Sequence, residues 1–111
     1  MTVKDIMALD DFSVINEGND SNEITGIYCC DLLSFAMGKA FAGCAWVTVM
    51  GNINSIAVAT LADMGCIILA DSVQLDEQAL VKAKQHNISV LRTSLPVFEA
   101  ALAVHSALKN A

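Results

Sequence analysis

Apolar and polar positions fall into blocks whose period switches back and forth between that of a helix and that of a strand. Thr2 to about Leu9 carries apolar residues at helical spacing. Phe12 to Ile15 is a short extended segment closed by the turn-rich Asn16-Glu17-Gly18-Asn19-Asp20. Runs rich in β-branched, aromatic and other apolar residues predict strands at Gly26–Cys30, Ala45–Met50, Cys66–Ala70 and Ile88–Leu91. Between and after them the pattern predicts helices over Leu32–Lys39, Ile53–Met64, Glu77–His86 and Leu95–Lys109. The ends carry matching signals. Asp31 and Asp76 are expected to cap the helices that follow them, Gly65 to end Ile53–Met64 as a C′ glycine, and Pro96 to sit harmlessly in a first turn. Strands that are apolar throughout and alternate with helices imply a parallel sheet covered on both faces. The expectation is therefore one α/β domain over residues 1–111, in three layers, with a mostly parallel sheet between helices.

Composition adds the question of a partner. The chain is 55% hydrophobic and only 16% charged, with mean hydropathy +0.54. A domain of this length buries about two-thirds of the surface its unfolded chain exposes, so apolar surface is left over. A two-fold homodimer, the commonest assembly, is expected to cover it. Two helices are apolar beyond a one-sided packing stripe. Ile53–Met64 carries Ile56, Ala57, Val58, Ala59, Leu61 and Ala62; in Leu95–Lys109, Leu95, Phe98, Leu102 and Leu108 make one face and Val97, Ala101 and Val104 widen it. The candidate contacts are Ile56, Ala59 and Thr60 on the first helix and Phe98, Leu102 and His105 on the second. The first is favoured because small residues let helices approach closely.

The same hydropathy raises the question of a membrane. Ala40 to Ala62 is an uncharged stretch flanked by Lys39 and Asp63, long enough to cross a bilayer. Gly51, Asn52, Asn54 and Ser55 fall at its middle, where amide side chains would be costly in hydrocarbon. A strand followed by a helix is the better reading, and no membrane partner is expected. Asp5, Asp10 and Asp11 stand where a secretory signal would need basic residues, so a cytoplasmic location is expected.

Charge is unevenly spread. Residues 1–31 hold Asp5, Asp10, Asp11, Glu17, Asp20, Glu23 and Asp31 against Lys4, so the whole net charge of −6 lies in the first quarter. An acidic chain without a basic cluster lacks the footprint for phosphate-backbone binding, which argues against nucleic acid as a partner.

Chemical motifs are sparse. Gly38-Lys39 is followed by Ala40 and has no preceding glycine at the spacing a phosphate-cradling loop needs. The dinucleotide, nucleophile-elbow and zinc-protease patterns do not occur either. His86 closes a helix, where a cation suits the dipole, and His105 lies alone on the last helix. Neighbouring carboxylates at Asp10-Asp11 and Asp76-Glu77 point apart. Cys29, Cys30, Cys44 and Cys66 form no C-x-x-C pair and have no histidine at ligand spacing, so they read as buried small hydrophobes. A redox role for Cys29 and Cys30 is the alternative. No catalytic residue, metal or cofactor is expected, and the chain is not expected to be an enzyme.

At Glu23-Ile24-Thr25-Gly26-Ile27, followed by Tyr28 and Asp31-Leu32-Leu33-Ser34, the sequence resembles the DRTGG domain family. Thr25 and Gly26 match that family's Asp-Arg-Thr-Gly-Gly motif, Glu23 is a conservative change, and Ile24 and Ile27 depart from it. Trp46-Val47-Thr48, Asn54 with Ala57-Val58-Ala59, Ile67-Ile68-Leu69 and Phe98-Glu99-Ala100 look like the later landmarks, in order, over almost the whole length. The resemblance implies a regulatory domain with no activity of its own. Similar domains precede the catalytic part of HPr kinase/phosphorylase, occur in some phosphate acetyltransferases, and sit between CBS modules in certain pyrophosphatases. They also pair within larger enzymes, and small stand-alone relatives occur beside iron hydrogenase genes.

In an open parallel sheet ligands settle beyond the carboxyl ends of the strands. Here those ends present Asp31; Gly51, Asn52 and Asn54; Asp71 and Ser72; and Arg92, Thr93 and Ser94. Arg92 is the only arginine, and the helix starts at Ile53 and Leu95 offer free backbone donors, which suits a small anionic metabolite or nucleotide. The other reading is a protein-interaction or assembly module, associated with iron hydrogenase or another metabolic enzyme system.

Overall fold

The computed structural model describes residues 1–110. Its elements are α1 (Val3–Met7), β1 (Phe12–Asn16), β2 (Gly26–Cys29), α2 (Leu33–Lys39), β3 (Cys44–Thr48), α3 (Ile53–Leu61), β4 (Cys66–Leu69), α4 (Glu77–His86), β5 (Val90–Thr93) and α5 (Val97–Lys109). The strands form a single sheet in the order β1-β5-β4-β3-β2. β2 to β5 are parallel, and β1 closes the β5 edge antiparallel with Phe12 opposite Thr93.

Because side chains alternate across a strand, a run apolar throughout builds a core on each face. Ala45, Val47, Cys66, Ile68 and Leu91 point to one side, where Val3 and Ile6 of α1 and Ala100 and Val104 of α5 cover them. Cys44, Trp46, Ile67, Leu69 and Val90 point to the other, under Ala36 of α2, Ile56 and Ala59 of α3, and Ala79 and Ala83 of α4. Among the described residues no helix is long and apolar enough to cross a membrane.

Several local expectations are corrected. The last strand runs Val90–Thr93 and not Ile88–Leu91. Ile88 is still occupied in leaving α4, where its amide donates to the Ala83 carbonyl, while Asn87 turns the chain with φ +55°. α3 ends at Leu61, and Asp63 with φ +54° makes its reversal, so Gly65 is not the C′ glycine. Gly65 serves close packing instead: a Cβ there would lie 2.8 Å from Ile24 Cδ1 and 2.9 Å from the Gly43 carbonyl oxygen. Asp76 stands at the start of α4 but makes no side-chain cap bond, and Pro96 is itself the N-cap position of α5. Cys44 and Cys66 are buried as expected, whereas Cys29 is exposed. On α5 the buried residues are Ala100 and Val104, while Phe98 and Leu102 are 69% and 49% exposed.

Candidate functional site

The carboxyl edge of the sheet is held together by bonds between successive loops. Beyond β2, Asp31 lies outside α2, whose N-cap is Leu32 without a side-chain bond. The expected cap therefore does not form. Asp31 Oδ1 instead accepts from the Thr48 hydroxyl at 2.7 Å and the Val49 amide at 3.0 Å, and Trp46 Nε1 donates to the Cys30 carbonyl at 2.9 Å. All three bonds tie the end of β2 to β3. Beyond β3, Asn52 caps α3, its Oδ1 accepting from the amides of Asn54 and Ser55 at 2.9 and 3.2 Å. This is the cap chemistry that a short polar side chain before a helix provides.

Gly51 lies against the β4–α4 loop. A Cβ on it would drive into the Gln74 carbonyl oxygen, and its own carbonyl accepts from the Asp76 amide at 2.9 Å. Beyond β4, Asp71 and Ser72 turn with φ +55° and +58°, sparsely populated for residues with a Cβ. Their amides donate to the carbonyls of Leu95 and Thr93, both at 2.9 Å, which holds the turn in place. On β5, Arg92 Nη1 donates to Gln74 Oε1 at 2.8 Å, and Thr93 Oγ1 accepts from the Leu95 amide at 3.1 Å. Ser94 is exposed.

The topology thus brings Asp31, Gly51, Asn52, Asp71, Ser72, Arg92, Thr93 and Ser94 to one edge. Of the polar side chains there, Asn52 and Thr93 are engaged with backbone, whereas Arg92 meets only a neutral amide. Asn54 departs from the group: it lines a cleft between α3 and α4. Thr25 and Gly26 lie at the opposite, amino ends of the strands. Thr25 donates its hydroxyl to the Ala42 carbonyl at 2.7 Å and its amide to the Gly43 carbonyl at 3.0 Å. Gly43, at φ +78°, leaves the space Thr25 occupies, with a Cβ falling 2.8 Å from Thr25 Cγ2. The Thr-Gly pair therefore works as a clasp between the start of β2 and the turn into β3.

Two features of the edge were not legible by pattern. The antiparallel β1 starts beside Thr93, so the Asp10-Asp11 turn reaches the same edge. Gln74 becomes the partner of Arg92 although an unremarkable loop carries it. Concavities of about 400 Å³ between α3 and α4, and of about 310 and 240 Å³ at the amino edge around Asn19, Asp63 and Thr25, lie elsewhere. Among the described residues no three His, Cys, Asp or Glu side chains gather as a metal-binding group.

No family model matches the chain, and no curated protein matches it. A solved structure is similar in fold: the CBS and DRTGG domains of the regulatory region of Clostridium perfringens pyrophosphatase, complexed with its activator diadenosine tetraphosphate. The TM-score is 0.66 at 14% identity, over 88% of this chain and 46% of that one, so this chain spans about half the length of the region it matches. The two share a fold, one found in a regulatory region.

Proposed function

We propose that this chain is a regulatory, ligand-sensing domain of the DRTGG kind, without an activity of its own, that takes a small anionic metabolite or nucleotide at the carboxyl edge of its sheet. The observation that carries the reading is Arg92, whose guanidinium bonds Gln74 at 2.8 Å and has no carboxylate within ion-pair distance among the described residues. A guanidinium facing a neutral amide keeps its charge available for a phosphate. Asp71, in the loop after the neighbouring strand β4, would accept from the hydroxyl or amino groups that a nucleotide also carries. The shared fold supports the regulatory part, since the similar region was crystallised with a dinucleotide activator. A thermal-shift screen of nucleotides, diadenosine tetraphosphate and acyl phosphates tests it on wild type and Arg92→Ala. A true ligand at 100 times its Kd adds about 2.7 kcal/mol to wild type; no ligand raising its melting temperature would remove the sensing role.

A second reading, assembly, is favoured by the apolar residues that α5 leaves uncovered. Of the candidate dimer contacts on α3, Ile56 and Ala59 are 1% and 0% exposed within the protein's own core and cannot meet a second copy, while Thr60 is exposed. Phe98, Leu102 and His105 of α5 are exposed, with Ile27 and Ala101 beside them in a shallow apolar depression. We place a homodimer contact there. Sedimentation checks it: a species near twice 11.7 kDa, returned to monomer by Phe98→Asp, supports pairing, and a wild-type monomer refutes it.

A further inference from the structure

On the face opposite α5, α3 and α4 run side by side, their buried stripes made small by Ala59, Ala79 and Ala83. Outward of that contact they leave the cleft of about 400 Å³, a volume within the range of sites that hold small organic ligands. Its α3 wall is mostly alkyl, with Asn54 and Thr60 as its polar members. Ile56 forms the buried part, and Ile53 and Leu61 at the two ends of the helix are 37% and 72% exposed. Its α4 wall is polar. Lys82 and His86 stand one turn apart on the same side of the helix, both exposed.

No carboxylate lines this cleft, and among the described residues the only ion pair joins the Met1 ammonium to Glu23. In a chain with 12 acids and 6 Lys plus Arg, a concavity with two basic side chains and no acid has a specific preference. An apolar body against Ile53, Ile56 and Leu61 would carry an anionic head to Lys82 and His86, each of which can donate a hydrogen bond to it. The volume of about 400 Å³ is that of a small organic ligand, which argues for a small molecule over a partner helix.

We propose that the α3–α4 cleft is a binding site for a small amphipathic anion, an aromatic or medium-chain carboxylate or sulfonate, distinct from the Arg92 edge. Titrating the isotopically labelled chain with 8-anilinonaphthalene-1-sulfonate and with decanoate, read by amide chemical shifts, tests it. Saturable shifts are expected over Ile53–Leu61 and Lys82–His86. Lys82→Ala with His86→Ala should weaken both probes at least tenfold, and N-phenyl-1-naphthylamine, which lacks the sulfonate, should bind at least fivefold more weakly than its sulfonated analogue. Both substituted side chains are exposed, so the fold is retained, and unchanged backbone shifts elsewhere verify that. Shifts confined to Phe98–His105, no saturation, or equal affinity in the double variant would each overturn the proposal. So would an acidic helical peptide that displaces decanoate with the higher affinity.

Discussion

Gly51 tests the packing of the carboxyl edge in one substitution. An added methyl meets the Gln74 carbonyl oxygen far inside contact distance and the carbonyl carbon at 3.2 Å. Both atoms are backbone, so no side-chain rotation relieves the clash. The β3–α3 and β4–α4 loops would have to separate by on the order of 1 Å to restore ordinary contact distances. Overpacking of this kind costs about 1–3 kcal/mol. Separation also breaks the bond from the Asp76 amide to the Gly51 carbonyl, worth about 1 kcal/mol. Gly51→Ala should therefore destabilise the domain by about 2–4 kcal/mol, a fall in melting temperature of about 8–16 °C at roughly 4 °C per kcal/mol for a domain of this size. Gly38 is the matched control. It lies within α2, and a Cβ there meets nothing within 4 Å, so Gly38→Ala should stabilise by about 0.5–1 kcal/mol through helix propensity and loss of unfolded-state freedom. Calorimetry or thermal circular dichroism on both variants decides the matter. Equal melting temperatures for Gly51→Ala and wild type would refute the account of the loop contact.

Asp31→Ala should cost about 1–3 kcal/mol by leaving the buried Thr48 hydroxyl without its acceptor; hydrogen exchange should quicken at Val49 and not in α2, the reverse of what a helix cap would give. Asp5 accepts from the Thr2 amide at 2.8 Å, and this bond, with a smaller one from the Thr2 hydroxyl, holds its carboxyl below the usual aspartate range. Its contribution is present above the unfolded value near 4 and is lost as pH falls through the lower folded value, so Asp5→Ala should shrink the stability difference between neutral pH and pH 3 in urea titrations. Burial pushes the Cys66 thiol strongly up and, less far, that of Cys44, while the packing around Cys29 and then the Asp31 carboxylate raise its own. Iodoacetamide should modify Cys29 slowly and spare Cys44 and Cys66 until urea is added, and mass spectrometry showing four rapid additions to the native protein would contradict the packing.

Much of the architecture was already present in local pattern. Apolar runs such as Cys66–Leu69 and Cys44–Thr48 have no polar face to leave in water, so they can only be central strands covered on both sides. Asn52, expected only as a residue of the ligand edge, caps α3, a bond that local pattern could have shown because it reaches only two or three residues. What failed locally were the positions where a distant element made a better offer. Asp31 looked like a cap, yet the neighbouring strand places Thr48 and Val49 within bonding distance, and two donors outweigh one helix amide. Arg92 looked like a loop residue, yet pairing with Leu69 and Ser13 carries it into β5. Hydrophobicity alone did not tell which residues of the two apolar helices are buried. It reports how apolar a helix is, and only the packing of α3 under its neighbours decided that Ile56 and Ala59 are core while Phe98 and Leu102 face outward. The strand order is equally a tertiary matter. Setting β1 antiparallel against β5 brings the acidic Asp10-Asp11 turn to the edge that holds Arg92, a juxtaposition of residues some eighty positions apart that no local period encodes.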